Sequence, residues 1–141
     1  TTEDPNEEVT LLAVIAELVA HGAKLLEGGE VEELCDALLG RLRLAQRARE
    51  LLRAELTLAC GSDGVDADAG SSFERSEAGL AEVRNAAAEA LAALMRARGA
   101  GFGVAFVRLL APACADALEG DRYEHDRVTA LFLVDAALEH C

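Results

Sequence analysis

One stretch, residues 82–95 (EVRNAAAEALAALM), restricts the possible folds more than any other part of the chain. Its apolar residues recur at helical spacing, which predicts a helix with a single apolar stripe: Val83, Ala87, Ala90, Leu91 and Leu94. The stripe combines small alanines with branched residues, so the backbone of a neighbouring helix can come close at the alanines. Because one such helix cannot bury its stripe alone, the stretch predicts helices stacked side by side. We therefore expect a surface that binds other proteins rather than a catalytic pocket.

The size and composition of the chain suit one folded domain. It has 141 residues, of which 52% are hydrophobic and 28% charged, and the few aromatic residues and two prolines favour helices over strands. The formal net charge of −13 argues against binding to nucleic acid or to an anionic membrane surface. It favours a basic protein partner, although a strong net charge also serves solubility, and both interpretations stay open.

The cysteines and the hydropathy exclude several other classes. The four cysteines are too far apart for a disulfide framework or a zinc site, which predicts free, partly buried thiols in a reducing compartment: Cys35, Cys60, Cys114 and Cys141. There is no N-terminal signal segment, and no apolar run looks long enough to cross a bilayer, so we expect no membrane insertion. The chain lacks an initiator Met and ends within a helical apolar pattern, which predicts a fragment of a longer protein. No cofactor is expected.

Five helices are predicted. They run over 7–22, 30–58, 76–98, 102–118 and 125–141. Pro112 lies inside the fourth, which it should kink or disturb one turn earlier. Glycine, serine and acidic residues in 61–75 predict a flexible acidic loop between helices. The short connections make successive helices antiparallel, so the expected fold is all-α, with about two and a half antiparallel helix pairs stacked as an α-solenoid.

Two segments also resemble a known family. Residues 83–94 (VRNAAAEALAAL) resemble the first-helix signature of HEAT repeats. Residues 126–141 (DRVTALFLVDAALEHC) are similar to the C-terminal half of nuclear transport receptors of the importin-β (karyopherin-β) superfamily, above all to the branch that carries ribosomal proteins and histones. The resemblance covers residues 30–141 in order and 4–26 only weakly. Pro112 lies one residue later than is usual in that branch, and the acidic loop is shorter.

The resemblance implies a non-enzymatic segment of a HEAT-repeat nuclear import receptor, present in cytoplasm and nucleus. Such receptors bind basic cargo and the GTPase Ran on their inner surface and nucleoporin phenylalanine-glycine repeats on the outer one. In this interpretation 31–58 and 102–118 line the concave surface, while 7–22, 77–98 and 125–141 lie outside. Two alternatives are a HEAT-repeat scaffold or regulatory subunit without a transport role, and a self-contained helical bundle that acts as an enzyme or sensor.

Acidic side chains are the candidates for contact with a basic partner, because they would steer it by long-range attraction. The candidate partner-binding residues are Asp63, Asp66, Asp68, Glu74 and Asp116. An acidic loop that is disordered without a partner is the competing interpretation.

Two further polar residues have a predicted structural role. Arg84, the arginine of the HEAT-like signature, should bond to a neighbouring repeat. Asp135 falls on the predicted stripe of the fifth helix with Val128, Leu131 and Leu138, so we expect it to be buried and partnered.

The remaining polar groups favour no chemistry. His140 and Cys141 are adjacent on a helix and point about 100° apart, which disfavours a nucleophile–base pair. A basic run in the second helix is either a solvated face or a docking site for an acidic segment: Arg41, Arg43, Arg47, Arg49 and Arg53. Phe102 and Phe106 are expected in the core.

Overall fold

The structure of the chain is a computed structural model that describes residues 5–22, 26–61, 67–119 and 124–141, of which 59–61 and 67–75 are described as backbone only. Every regular element in these ranges is helical, so the predicted all-α class is confirmed. Asp63 and Asp66 of the predicted acidic loop lie outside the described residues.

The elements follow one another in this order. Helix α1 spans Pro5–Gly22, α2 spans Gly28–Gly61 and α3 spans Ala67–Arg98. A 3-10 turn (Gly99–Phe102), a short α4 (Gly103–Ala105), a π-helical turn (Phe106–Leu110) and α5 (Ala111–Leu118) continue directly from α3. Helix α6 spans Glu124–His140.

The described chain therefore has four helical segments rather than the predicted five, because helical turns continue from α3 to α5. The predicted break at 99–101 is instead a 3-10 turn, in which Gly99 adopts a positive φ of 57° that glycine tolerates without strain. Helix α3 also begins at Ala67 rather than near Ser76, so backbone expected in the acidic loop is helical.

Pro112 has the local effect that its chemistry predicts. It lacks the N–H that would donate to a carbonyl four residues earlier, and the turn before it is π-helical. There the N–H of Ala111 donates to the carbonyl of Phe106, five residues back. The disturbance one turn before Pro112 is thus confirmed.

The centre of the core is the stretch that the sequence identified. All residues from Ala90 to Met95 are buried, and Val83 and Ala87 are buried below them. Alanine occupies half of these positions, so other helices pack closely against α3 on more than one side. Phe102 also lies in the core, with Phe106 half-buried against it, as predicted.

Helix α3 contacts three other helices: α1, α2 and α6. It runs antiparallel to α2, because Arg98 at its end donates to the carbonyl of Leu26, just before α2, while Glu77 near its start pairs with Arg49. The α6 carbonyl of His140 lies beside Gly99, so α3 and α6 end together and run in the same direction. Helix α5 packs on α6, and the turns before α5 contact α2.

The predicted buried faces of the two terminal helices need correction. Helix α6 buries Leu133 and four small residues, whereas Val128, Leu131 and Leu138 are exposed, so the stripe predicted for it is wrong. Asp135 shares this exposed face and is not buried. Helix α6 is apolar on two faces, and hydrophobicity alone does not tell which of them meets α3 and α5. In α1 likewise, Leu12 and Val19 are buried but Leu11 and Leu18 are exposed.

One segment of the described chain is long and apolar enough to cross a membrane by length and composition. This segment spans Ser76–Leu118. Its most apolar window of 18 residues has a mean hydropathy of 1.5, and 22% of that window is buried in the protein. The expectation that no apolar run reaches this length is therefore wrong. The segment also contains Arg108, Pro112 and the positive-φ Gly99.

Candidate protein-binding surfaces

A buried ion cluster joins α2 to α3. One carboxylate oxygen of Glu77 accepts a hydrogen bond from Arg49 Nε at 3.1 Å and another from Arg84 Nη2. Both arginines are buried, and the Glu77 side chain is only 16% exposed. Arg84 thus bonds within its own helix, to a residue two turns earlier, and reaches the next helix only through Glu77. The prediction was a direct bond from Arg84 to a neighbouring repeat, whereas the observed bond is to Glu77 of the same helix, a residue for which no role was predicted.

Two further ion pairs join helices. Arg108, in the π-helical turn, donates to Glu32 of α2 at 2.8 Å, and Arg41 Nη1 of α2 lies 3.8 Å from Glu8 Oε1 of α1. The Arg108–Glu32 pair is solvated and contributes at most about 1 kcal/mol, whereas Arg41 and Glu8 are half-buried. The two pairs hold the π-helical turn and α1 against α2 and do not form a binding site.

The predicted partner-binding acids are not brought together in the described structure. Asp116 is exposed on α5. Asp63 and Asp66 lie outside the described residues, as do the side chains of Asp68 and Glu74, whose backbone belongs to α3. No acidic site can therefore be built from them.

The basic run of α2 divides into two groups. Arg49 is buried with Glu77, whereas Arg43 and Arg47 are exposed and form no ion pair with any residue that the structure describes. Together with Arg41, these two line a groove of about 770 Å³ along α2 whose floor contains Gly40 and Leu44. For Arg43 and Arg47 the structure agrees with a solvated face, but Arg49 does not belong to it.

Large apolar side chains are exposed on the two outer helices. In α1 they are Leu11, Val14 and Leu18, the last 67% exposed, on the side opposite Leu12 and Val19. In α6 they are Val128, Leu131 and Leu138, the last 82% exposed, opposite the residues that contact α3 and α5. We call these sets the α1 outer face and the α6 outer face. Several large apolar side chains exposed on one helix face are candidates for an interaction site, although Asp135 interrupts the α6 outer face.

Helix α2 carries a third exposed apolar row. Leu44, Leu51 and Leu58 follow one another every seven residues and are 60%, 61% and 76% exposed. A seven-residue repeat keeps them on one side of the helix, as in the seam of a coiled coil. This row was not predicted, although its spacing is visible in the sequence, because the buried stripe of the same helix is the stronger signal.

The described thiols are not activated. Burial, together with the negative charges of Asp36 and Glu32, raises the pKa of the Cys35 thiol to about 12. Burial also raises the pKa of Cys114, and partial desolvation raises the pKa of Cys141 beside His140. A nucleophilic thiol needs a lowered pKa, so this environment disfavours a Cys–His nucleophile. Within the described residues no group of three His, Cys, Asp or Glu side chains has a metal-binding arrangement.

Comparisons of the chain with protein-family models, with curated proteins and with solved structures find no significant match.

Proposed function

We propose that this chain is a protein-binding segment of a two-layered α-solenoid with HEAT-like repeats and that it has no catalytic activity. The order of helix contacts supports the solenoid. Helices α1, α3 and α6 form one row with α3 in the middle, and α2 with α4–α5 forms a second row beneath it. Helices α3 and α6 of the first row run in the same direction, and α2 runs antiparallel to α3. This is how antiparallel pairs stack in a solenoid.

The observation that carries the proposal is the pair of exposed apolar faces. The α1 outer face and the α6 outer face both point away from α3, at opposite ends of the same row. A closed bundle covers the outer sides of its terminal helices with polar residues. A segment of a solenoid exposes there the faces that the next helices would cover.

The narrower proposal is that the solenoid belongs to a nuclear import receptor of the importin-β superfamily. It rests on the resemblance of residues 83–94 and 126–141. In this proposal the partners are basic cargo, Ran and nucleoporin phenylalanine-glycine repeats, and the protein moves between cytoplasm and nucleus. Asp116 and the acidic segment 63–74 would contact the cargo. A HEAT-repeat scaffold without a transport role is the alternative.

The solenoid is tested by self-association of the 141-residue chain. Analytical ultracentrifugation should show association that rises with concentration, because the two outer faces are complementary in apolar character. The double variant Leu131→Gln/Leu138→Gln should be monomeric, whereas the control Glu139→Gln, on the same helix, should associate like the wild type. A wild-type chain that stays monomeric at every attainable concentration would contradict the proposal.

The transport role is tested by binding of a fluorescent Lys/Arg-rich peptide, measured by anisotropy. Binding should weaken strongly as salt rises from about 50 to about 300 mM, because screening removes the attraction. The triple variant Asp63→Asn/Asp66→Asn/Asp68→Asn should bind more weakly than a control with the same charge, Glu82→Gln/Glu89→Gln/Glu139→Gln. Equal binding by both variants would remove the acidic segment from the cargo site. A chain that binds neither this peptide, Ran loaded with a GTP analogue nor phenylalanine-glycine peptides would favour the scaffold alternative.

A further inference from the structure

We infer that the exposed side of α2 is a docking seam for an amphipathic helix with acidic flanks, supplied by a partner polypeptide. The residues of this seam differ from the acidic residues proposed above to contact basic cargo, although both sets would lie on the concave side that α2 lines in that proposal. The seam combines the leucine row of α2 with the two arginines beside it.

The leucine row sets the shape of the partner. Leu44, Leu51 and Leu58 extend over fifteen residues of α2, which corresponds to a length of about 21 Å at 1.5 Å per residue. A partner helix that follows this row must offer an apolar residue at the same seven-residue interval. Gly40 leaves open space at one end of the row, since a Cβ built there meets nothing within 4 Å. A bulky side chain of the partner therefore has room above Gly40.

The arginines set the charge of the partner. Arg43 and Arg47 flank Leu44 and lie one helical turn apart, so two like charges face each other on the helix. They form no ion pair within the part of the chain that the structure describes, although the whole chain has a net charge of −13. Carboxylates of a partner would relieve this repulsion with charge-assisted hydrogen bonds, which an arginine makes best in a bidentate geometry.

The other charged groups that line the groove do not cancel these two. Arg41 is engaged with Glu8 of α1. Glu50 is half-buried and Asp126 is buried, whereas both Arg43 and Arg47 are exposed and accessible. The accessible charge of the groove is therefore positive, in an otherwise acidic protein.

An acidic peptide should prefer the seam to the α1 and α6 outer faces. The α1 and α6 outer faces are bordered by acids such as Glu17, Asp135 and Glu139, which would repel it. In α6, Arg127 lies next to Val128 but Asp135 shares the outer face, whereas α2 has two exposed arginines within one helical turn of Leu44. A basic cargo peptide, by contrast, is repelled by Arg43 and Arg47.

The test uses a designed helical peptide with leucine every seven residues and glutamate at the flanking positions, fluorescently labelled and titrated with the full 141-residue chain. The chain should bind it, and the double variant Arg43→Gln/Arg47→Gln should bind about 3- to 30-fold more weakly, the range expected for two solvated ion pairs. The variant Leu44→Gln/Leu51→Gln should lose detectable binding. Since all four side chains are exposed, these variants should fold normally, which circular dichroism checks.

The matched control is Arg96→Gln, which removes an exposed arginine from α3 and should leave binding unchanged. A second peptide with lysine in place of glutamate should not compete. The inference is overturned if the arginine double variant binds as tightly as the wild type, if the lysine peptide binds equally well, or if inorganic phosphate at matched ionic strength displaces the peptide completely. It is also overturned if the leucine row is covered by a second copy of the chain, so that Leu44→Gln/Leu51→Gln abolishes self-association.

Discussion

Neutralising Glu77 should destabilise the protein more than any other single loss of charge among the described residues. Glu77→Gln keeps the shape of the side chain but removes the negative charge that the buried Arg49 and Arg84 both contact. Removing one partner of a buried ion pair costs about 3–5 kcal/mol. Two hydrogen bonds to charged groups, at about 1.5–3 kcal/mol each, lead to a similar sum.

The expected loss is large enough to measure by calorimetry and by urea unfolding. The entropy of unfolding of a chain of this length is about 0.3 kcal/mol per degree, so the melting temperature should fall by about 10–17 °C. The control is Glu32→Gln, which breaks the Arg108–Glu32 pair of 2.8 Å at the surface. Because that pair is solvated, its loss should cost no more than about 1 kcal/mol.

A third variant separates the cost of the buried charge from the contribution of the cluster. Replacing all three residues by apolar ones of similar size (Arg49→Met/Glu77→Leu/Arg84→Met) should restore wild-type stability or exceed it by about 1–4 kcal/mol. The reasoning is refuted if Glu77→Gln and Glu32→Gln have equal free energies of unfolding, or if the triple variant is no more stable than Glu77→Gln.

Three further outcomes are expected from the core, the turn after α3 and the buried thiol. Leu91→Ala, at a fully buried position, should lower the free energy of unfolding in urea by about 2–5 kcal/mol. Leu131→Ala, on the α6 outer face, should change it by less than about 0.5 kcal/mol. Equal losses would mean that Leu131 faces the core, as the sequence predicted. Gly99→Ala should lower the stability by about 1–2 kcal/mol, because a φ of 57° strains any L residue with a side chain. Gly101→Ala should leave the stability unchanged, because a Cβ at Gly101 meets open space. The melting temperatures of the two variants test this difference. The pKa of the Cys35 thiol is raised from 9.0 to about 12. Between these two pH values the thiol is neutral in the folded protein but ionised in the unfolded chain. Its contribution to stability is therefore intact below pH 9 and is lost as the pH rises towards 12. From about pH 8 to about pH 10.5 the wild type should lose about 2 kcal/mol more than Cys35→Ala, and parallel losses in the two proteins would contradict the raised pKa.

The surfaces were less predictable than the helices, and the reasons are physical. The leucine row of α2 and Glu77 can both be read from the sequence, but neither is a specific signal. A seven-residue leucine spacing and a single glutamate are both common on solvated helices. Only the burial of Arg49 and Arg84 shows that Glu77 has two buried partners. For α6, which is apolar on two faces, hydrophobic spacing supports either face equally well. The structure turns its smaller residues towards α3 and α5, where helices approach closely, and leaves Leu131 and Leu138 exposed.

By itself the sequence determined the helical class, the central position of residues 83–95 and the irregularity before Pro112. These properties depend on local spacing and on the missing N–H of proline, which act within a few residues of each other. The tertiary structure decided which faces meet, where α3 begins, and which charges are buried, because those choices depend on the close packing of side chains from distant parts of the chain. A helix with two apolar faces can bury either face, and packing against the neighbouring helices decides which one is buried.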